Sequence, residues 1–216
     1  MITSAIQGSG VAATEIREIG ELDHLEVSIP VQIEVTKGDD WTLELTMDDN
    51  LLEHVNTSVE NGRLRVSSDQ NLATKAGAIL KITSPSLKYG SLMGAVDGSI
   101  EELSGESTEL HLAGSSDVTV GLQTADFSLH IAGSGTATAT GACTEMDVSI
   151  AGSGTLHAGD LAVDDVSISI AGSGDAVIHA GQTLEVSIAG SGRVRYKGNP
   201  TIKKSVAGSG SIEKLE

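Results

Sequence analysis

Aromatic side chains are almost missing from this sequence: Trp41, Tyr89, Phe127 and Tyr196 are the only four in 216 residues. A core built around large rings is thereby excluded, and aliphatic residues must fill the interior. Cysteine is reduced to Cys143, so no intrachain disulfide can form and thiol content assigns no compartment. Proline occurs three times against 26 glycines. A disordered linker would be rich in both, so the glycine reads as a demand of regular architecture. No apolar run reaches the roughly 18 residues of a membrane span. The opening Met1-Ile2-Thr3-Ser4-Ala5-Ile6-Gln7-Gly8 also lacks the basic and apolar regions of an export signal. Positive charge is scarce: 13 Lys and Arg against 30 Asp and Glu leave a net charge of −17. Such a surface repels phosphate backbones and anionic lipid, which makes nucleic acid and membranes poor partners.

What is abundant is repetition. Ala-Gly-Ser-Gly or a one-residue variant begins at Ala113, Ala132, Ala151, Ala171, Ala189 and Ala207, at spacings of 19, 19, 20, 18 and 18. Just before these alanines stand Leu112, Ile131, Ile150, Ile170, Ile188 and Val206; two residues earlier stand Leu110, Leu129, Val148, Ile168, Val186 and Lys204. Apolar residues occupy odd offsets from the alanine and polar ones mostly even offsets, the period-2 signature of strands with one face buried. A coil of about 19 residues cannot bury its own inner face, so coils must stack and share a core. The expected fold is all-β, a parallel β-helix with about 19 residues per coil. Its variable coil length favours the right-handed form over the left-handed one, which is built on hexapeptides in coils of fixed length.

The structural corners are expected at Gly133 and Gly135, Gly152 and Gly154, Gly172 and Gly174, Gly190 and Gly192, and Gly208 and Gly210, all continuing the inward parity and allowing a tight bend. Between them Ser134, Ser153, Ser173, Ser191 and Ser209 should form an outward ladder with hydroxyls bonded from rung to rung. Residues 1–90 lack the repeat but read as β at 25–36, 41–47, 63–67 and 78–83, with an Asn61-Gly62 hairpin turn. Asp48-Asp49-Asn50 is placed to cap a short helical turn. A degenerate coil at Leu92-Met93-Gly94-Ala95 extends the stack toward the N-terminus. The expectation is an N-terminal β region (1–90) continuous with the β-helix (91–216) and covering one end of it.

Several of these residues also resemble a known family. Gly8-Ser9-Gly10, Val31-Gln32-Ile33-Glu34-Val35 with Gly38, Asp48-Asp49-Asn50-Leu51-Leu52 with Val55, Thr57, Val59, Asn61-Gly62 and Leu64, and the Ala-Gly-Ser-Gly coils are together similar to the head GIN domain of auto-transporter adhesins. The resemblance covers essentially the whole chain. It implies a right-handed parallel β-helix exported to a bacterial cell envelope or beyond, an adhesive role, and no catalytic residues to carry over. It also implies an export leader, which is expected to have been removed from this chain.

Chemistry-bearing residues are few. His111 and His130 should stack outward in adjacent coils, but their column continues as Ser149, Ser169, Ser187 and Ser205; with no third ligand in it, the pair reads as solvated imidazoles and the expectation is no metal. His24, His54, His157 and His179 have no evident partner. Gly-Ser-Gly runs on into strand, without the helix that a phosphate nest requires. Asp117 and Asp175 alone cannot make a calcium β-roll, and Thr136, Thr138 and Thr140 are not repeated as an array. Asp175 with Arg193, Arg195 and Lys197 is the nearest approach to the acidic-polysaccharide chemistry of β-helix enzymes, and a cross-rung Asp175–Arg193 ion pair accounts for it. No catalytic residues and no cofactor are expected. The reading is a non-enzymatic surface adhesion or scaffold module for a protein or glycan ligand. The alternatives are an enzyme on acidic polysaccharide and a small-ligand or metal-binding module. Lys203, Lys204, Glu213, Lys214 and Glu216 should charge the last coil against end-to-end stacking, directing any homo-oligomer to the lateral faces or the N-terminal half.

Overall fold

The computed structural model describes residues 5–215. Residues 1–4, part of the opening read as lacking an export signal, and Glu216 of the charged tip lie outside it. Of the described residues 73% are strand, and they form a parallel β-solenoid of about 7 turns. Val96–Gly114, Asp117–Gly133, Thr136–Gly152, Thr155–Gly172 and Asp175–Gly190 are long bent strands, each followed by a two-residue corner. Ala113, Ala132, Ala151, Ala171, Ala189 and Ala207 are register partners from rung to rung. Leu112, Ile131, Ile150, Ile170 and Ile188 accordingly stack in the interior at 1% exposure each. Coil length varies without disturbing this column, because register shifts fall between Thr138 and Thr140 and between Ala158 and Val163, far from the corner. Phe127 alone among the aromatics is fully buried.

The two glycines of a corner differ, and only one points inward. Gly154 is buried, and a Cβ there would lie 2.5 Å from Ile131 Cγ2. Gly152 is exposed, contrary to the inward parity expected of it; its φ of +119° turns the chain where L side chains are disfavoured, and a Cβ would lie 2.5 Å from the Gly133 carbonyl oxygen. The serine ladder does face outward, but what joins its rungs is backbone: Ser134, Ser153, Ser173, Ser191 and Ser209 each donate an N–H to a glycine carbonyl one coil back at 2.8 Å. No hydroxyl of this ladder makes a hydrogen bond among the described residues, since the close-packed glycines bring main chain to main chain first.

The columns continue into the N-terminal half. Tyr89–Gly94 pairs with Val96–Gly114 through Leu92↔Leu112 and Gly94↔Gly114, as the degenerate coil predicts. On this wall follow His24–Val27, Arg63–Ser67 and the antiparallel Asn56–Glu60, joined by a turn with positive φ at both Asn61 and Gly62. On a second wall Val31–Lys37 and Ile79–Ser84 lead to the antiparallel Thr42–Asp48 and Ala12–Glu18. Residues 25–36 therefore make two strands on two walls, separated at Ser28-Ile29-Pro30, where proline cannot donate to a ladder.

The Asp48-Asp49-Asn50 run does not cap the 3-10 turn Leu52–His54, whose N-cap Leu51 makes no side-chain cap bond. It binds the Gly8-Ser9-Gly10 loop instead. Asp48 accepts hydrogen bonds from Gly10 N–H (2.6 Å), the Thr74 hydroxyl (2.5 Å) and the N–H groups of Lys75 and Ala76. Ser9 donates from its N–H to Asn50 and from its hydroxyl to Asp49. Gly8 has no room for a Cβ, which would meet the Asp48 carboxyl at 2.4 Å. The Thr74 hydroxyl above all, then the backbone donors, holds the shielded Asp48 carboxyl far below the usual carboxylate range.

Candidate functional site

Outward positions of the first wall form two adjacent columns. One runs Arg63, His24, Tyr89, Glu109, Ser128 and Asp147; the other runs Arg65, Glu26, Ser91, His111, His130 and Ser149. Parallel rungs about 4.8 Å apart hold these side chains against one another. His24 and Tyr89 lie 5.3 Å apart between ring centroids, Tyr89 and His111 5.4 Å, and His111 stacks on His130 at 4.5 Å. The result is a stripe of four rings up the wall. At its lower end a groove of about 380 Å³ is lined by His24, Ser58, Glu60, Asn61, Arg63 and Arg65.

Carboxylates punctuate the stripe. Asp23 bonds His24 Nδ1 at 2.6 Å and Lys88 Nζ at 3.1 Å. Burial pushes its carboxyl up, but these hydrogen bonds and charges outweigh that and hold it below the ordinary value. Glu26 pairs with Arg65 at 3.1 Å. One oxygen of Glu109 lies 2.5 Å from His111 Nε2 and 3.6 Å from His130 Nε2. Glu109 is the residue that sequence reasoning missed, because the search followed the histidine column from coil to coil. The signal was present along the strand, where residues i and i+2 share a face.

The other sequence candidates separate. Asp175 and Arg193 are register partners, yet no ion pair joins them among the described residues. Lys197 instead bonds Asp160 and the Gly159 carbonyl, beside His157. His54 approaches only Glu53 on its own turn, at 3.8 Å. His24, for which no partner was foreseen, has both Asp23 and Tyr89.

The family description "Putative auto-transporter adhesin, head GIN domain" matches residues 21–200. This chain belongs to that family. A solved adhesin-family structure from Bacteroides fragilis, named a putative adhesin, is similar with a TM-score of 0.92 and 25% identity over 98% of this chain and all of that one. A putative adhesin from Parabacteroides merdae is similar at 0.78 and 25% identity, covering 98% of this chain and 99% of its own. A Parabacteroides distasonis structure named a putative lipid binding protein is similar at 0.78 and 26% identity, covering 99% and 100%. None of the curated proteins matches.

In this head GIN domain the lone thiol is unsuited to nucleophilic work. Cys143 is buried, which pushes it up to about 11, with the Asp126 charge adding to the effect. No helix among the described residues is long and apolar enough to cross a membrane.

Proposed function

We propose that this head GIN domain is a non-enzymatic adhesion or scaffold module of a bacterial cell envelope, and that the ringed wall is the face it offers to a protein or glycan ligand. Family membership supports the adhesive class and the envelope setting. The observation that carries the choice of face is the stripe of His24, Tyr89, His111 and His130 running up one wall to a groove lined by Arg63 and Arg65, on a chain whose net charge is −17. A rigid ladder of this kind binds an extended ligand with little ordering cost of its own. Self-association, where it occurs, uses the lateral faces or the N-terminal half. A lipid ligand gains no support from the interior, where stacked aliphatic side chains fill the columns.

The test is a glycan and extracellular-matrix array probed with the parent and with an Arg63→Glu/Arg65→Glu variant. Binding by the parent that the variant loses while staying folded supports the reading. Equal binding by both moves the ligand face elsewhere. Acidic polysaccharides should show no turnover; cleavage that disappears in a folded Asp175→Asn or Arg193→Ala variant would replace adhesion with catalysis.

A further inference from the structure

We infer that Glu109, His111 and His130 form a binding site for one divalent transition-metal ion of the zinc class. One ring nitrogen from each imidazole and a carboxylate oxygen lie within 4.8 Å of one another. One Glu109 oxygen lies within reach of both rings, 2.5 Å from His111 Nε2 and 3.6 Å from His130 Nε2. Zinc bonds of about 2.0–2.2 Å place tetrahedral ligand atoms roughly 3.4 Å apart, so rotations that move these tips by about 1 Å complete the geometry. His111 and His130 are register partners on neighbouring rungs, and Glu109 is two residues from His111 on the same strand and face. Ligands on paired strands are held more accurately than ligands on loops.

The donor set selects the metal. Calcium and magnesium take oxygen ligands, whereas two imidazoles with a carboxylate suit zinc, copper and nickel. Side-chain exposures of 41% for Glu109, 35% for His111 and 46% for His130 leave the ion reachable from solvent. Three protein ligands leave a coordination position for water or for a donor brought by another molecule. The Tyr89 ring, 5.4 Å from that of His111, walls the site on the side of the preceding rung. The donors come from residues 109–130 alone, so the site stands whether or not the wall is adhesive.

The experiment is calorimetric titration of zinc into chelator-treated, tag-free protein, with Co²⁺ absorption as a second readout of coordination by nitrogen and oxygen. One Zn²⁺ per chain is expected, with a raised unfolding temperature and no corresponding response to Ca²⁺. Glu109→Gln, His111→Ala and His130→Ala should each weaken binding by at least about 10-fold, while His157→Ala and His179→Ala leave it unchanged. These side chains point to solvent, so unchanged melting of the zinc-free variants verifies folding. Absence of stoichiometric binding tighter than about 1 mM overturns the site. So does binding that survives the His111→Ala/His130→Ala double change or that follows His157 or His179.

Discussion

The two glycines of a single corner should fail in different ways when each gains a methyl group. At Gly152 the φ of +119° strains any L residue, and the new Cβ would press on the Gly133 oxygen at 2.5 Å, the acceptor of the Ser153 N–H. Backbone strain of about 1–3 kcal/mol and a weakened rung hydrogen bond of about 1 kcal/mol suggest a cost near 2–4 kcal/mol for Gly152→Ala. At Gly154 the φ is ordinary and the main obstacle is a side-chain methyl, Ile131 Cγ2 at 2.5 Å, with the Gly135 oxygen farther off at 3.2 Å. Overpacking of this kind costs about 1–3 kcal/mol. Ile131→Ala removes the obstructing methyl at its own cost of about 2–5 kcal/mol, and the added Cβ then occupies part of the vacated space. The Gly154→Ala/Ile131→Ala pair should therefore be less destabilised than the sum of its parts by about 1 kcal/mol or more. Gly152→Ala with Ile131→Ala should be additive within about 0.5 kcal/mol. Equilibrium denaturant unfolding of the five variants and the parent measures all of these terms. Additivity in the Gly154 pair, or an equal coupling to Ile131 in the Gly152 pair, would refute the distinction between a backbone corner and a side-chain slot.

Asp48 ionises in the folded chain below its ordinary 3.8, so the stability it contributes is complete above that value and is lost as pH falls below it. Asp48→Asn should be less stable than the parent at neutral pH and should show a flatter fall in melting temperature between about pH 4 and 2; identical acid profiles would exclude the Gly8-Ser9-Gly10 knot as the source. Cys143, pushed up to about 11, should react with a thiol reagent at neutral pH only as the chain unfolds, and rapid labelling of the native protein would contradict its burial. Thr201–Gly208 exposes the column residues Ile202 and Val206 beside Lys203 and Lys204, so the lysines of this coil flank apolar contact surface. Changing Lys203 to Val and Lys204 to Ile in the 216-residue chain should produce concentration-dependent polymers by light scattering; an unchanged variant would remove the lysines from any protective role.

The solenoid was legible in the sequence because parallel stacking converts a repeat period into a spatial neighbour. Once Ala113 and Ala132 align, Leu112 must lie under Ile131 and His111 under His130, and the pairing obeys that translation. The Asn61-Gly62 hairpin was legible for a local reason, since few other dipeptides accept positive φ twice. Non-repeating contacts had no such rule. The Asp48 knot joins residues near 10, 48 and 75, which only the folding of two walls brings together. Charge pairing was also undetermined: Asp175 and Arg193 share a rung position without an ion pair, because register sets Cα neighbours while solvated side chains choose their own rotamers. Glu109 belongs to the same class. Its face follows from the period of two, but the reach of its carboxylate to both imidazoles depends on the tertiary packing of Tyr89, His111 and His130 around it.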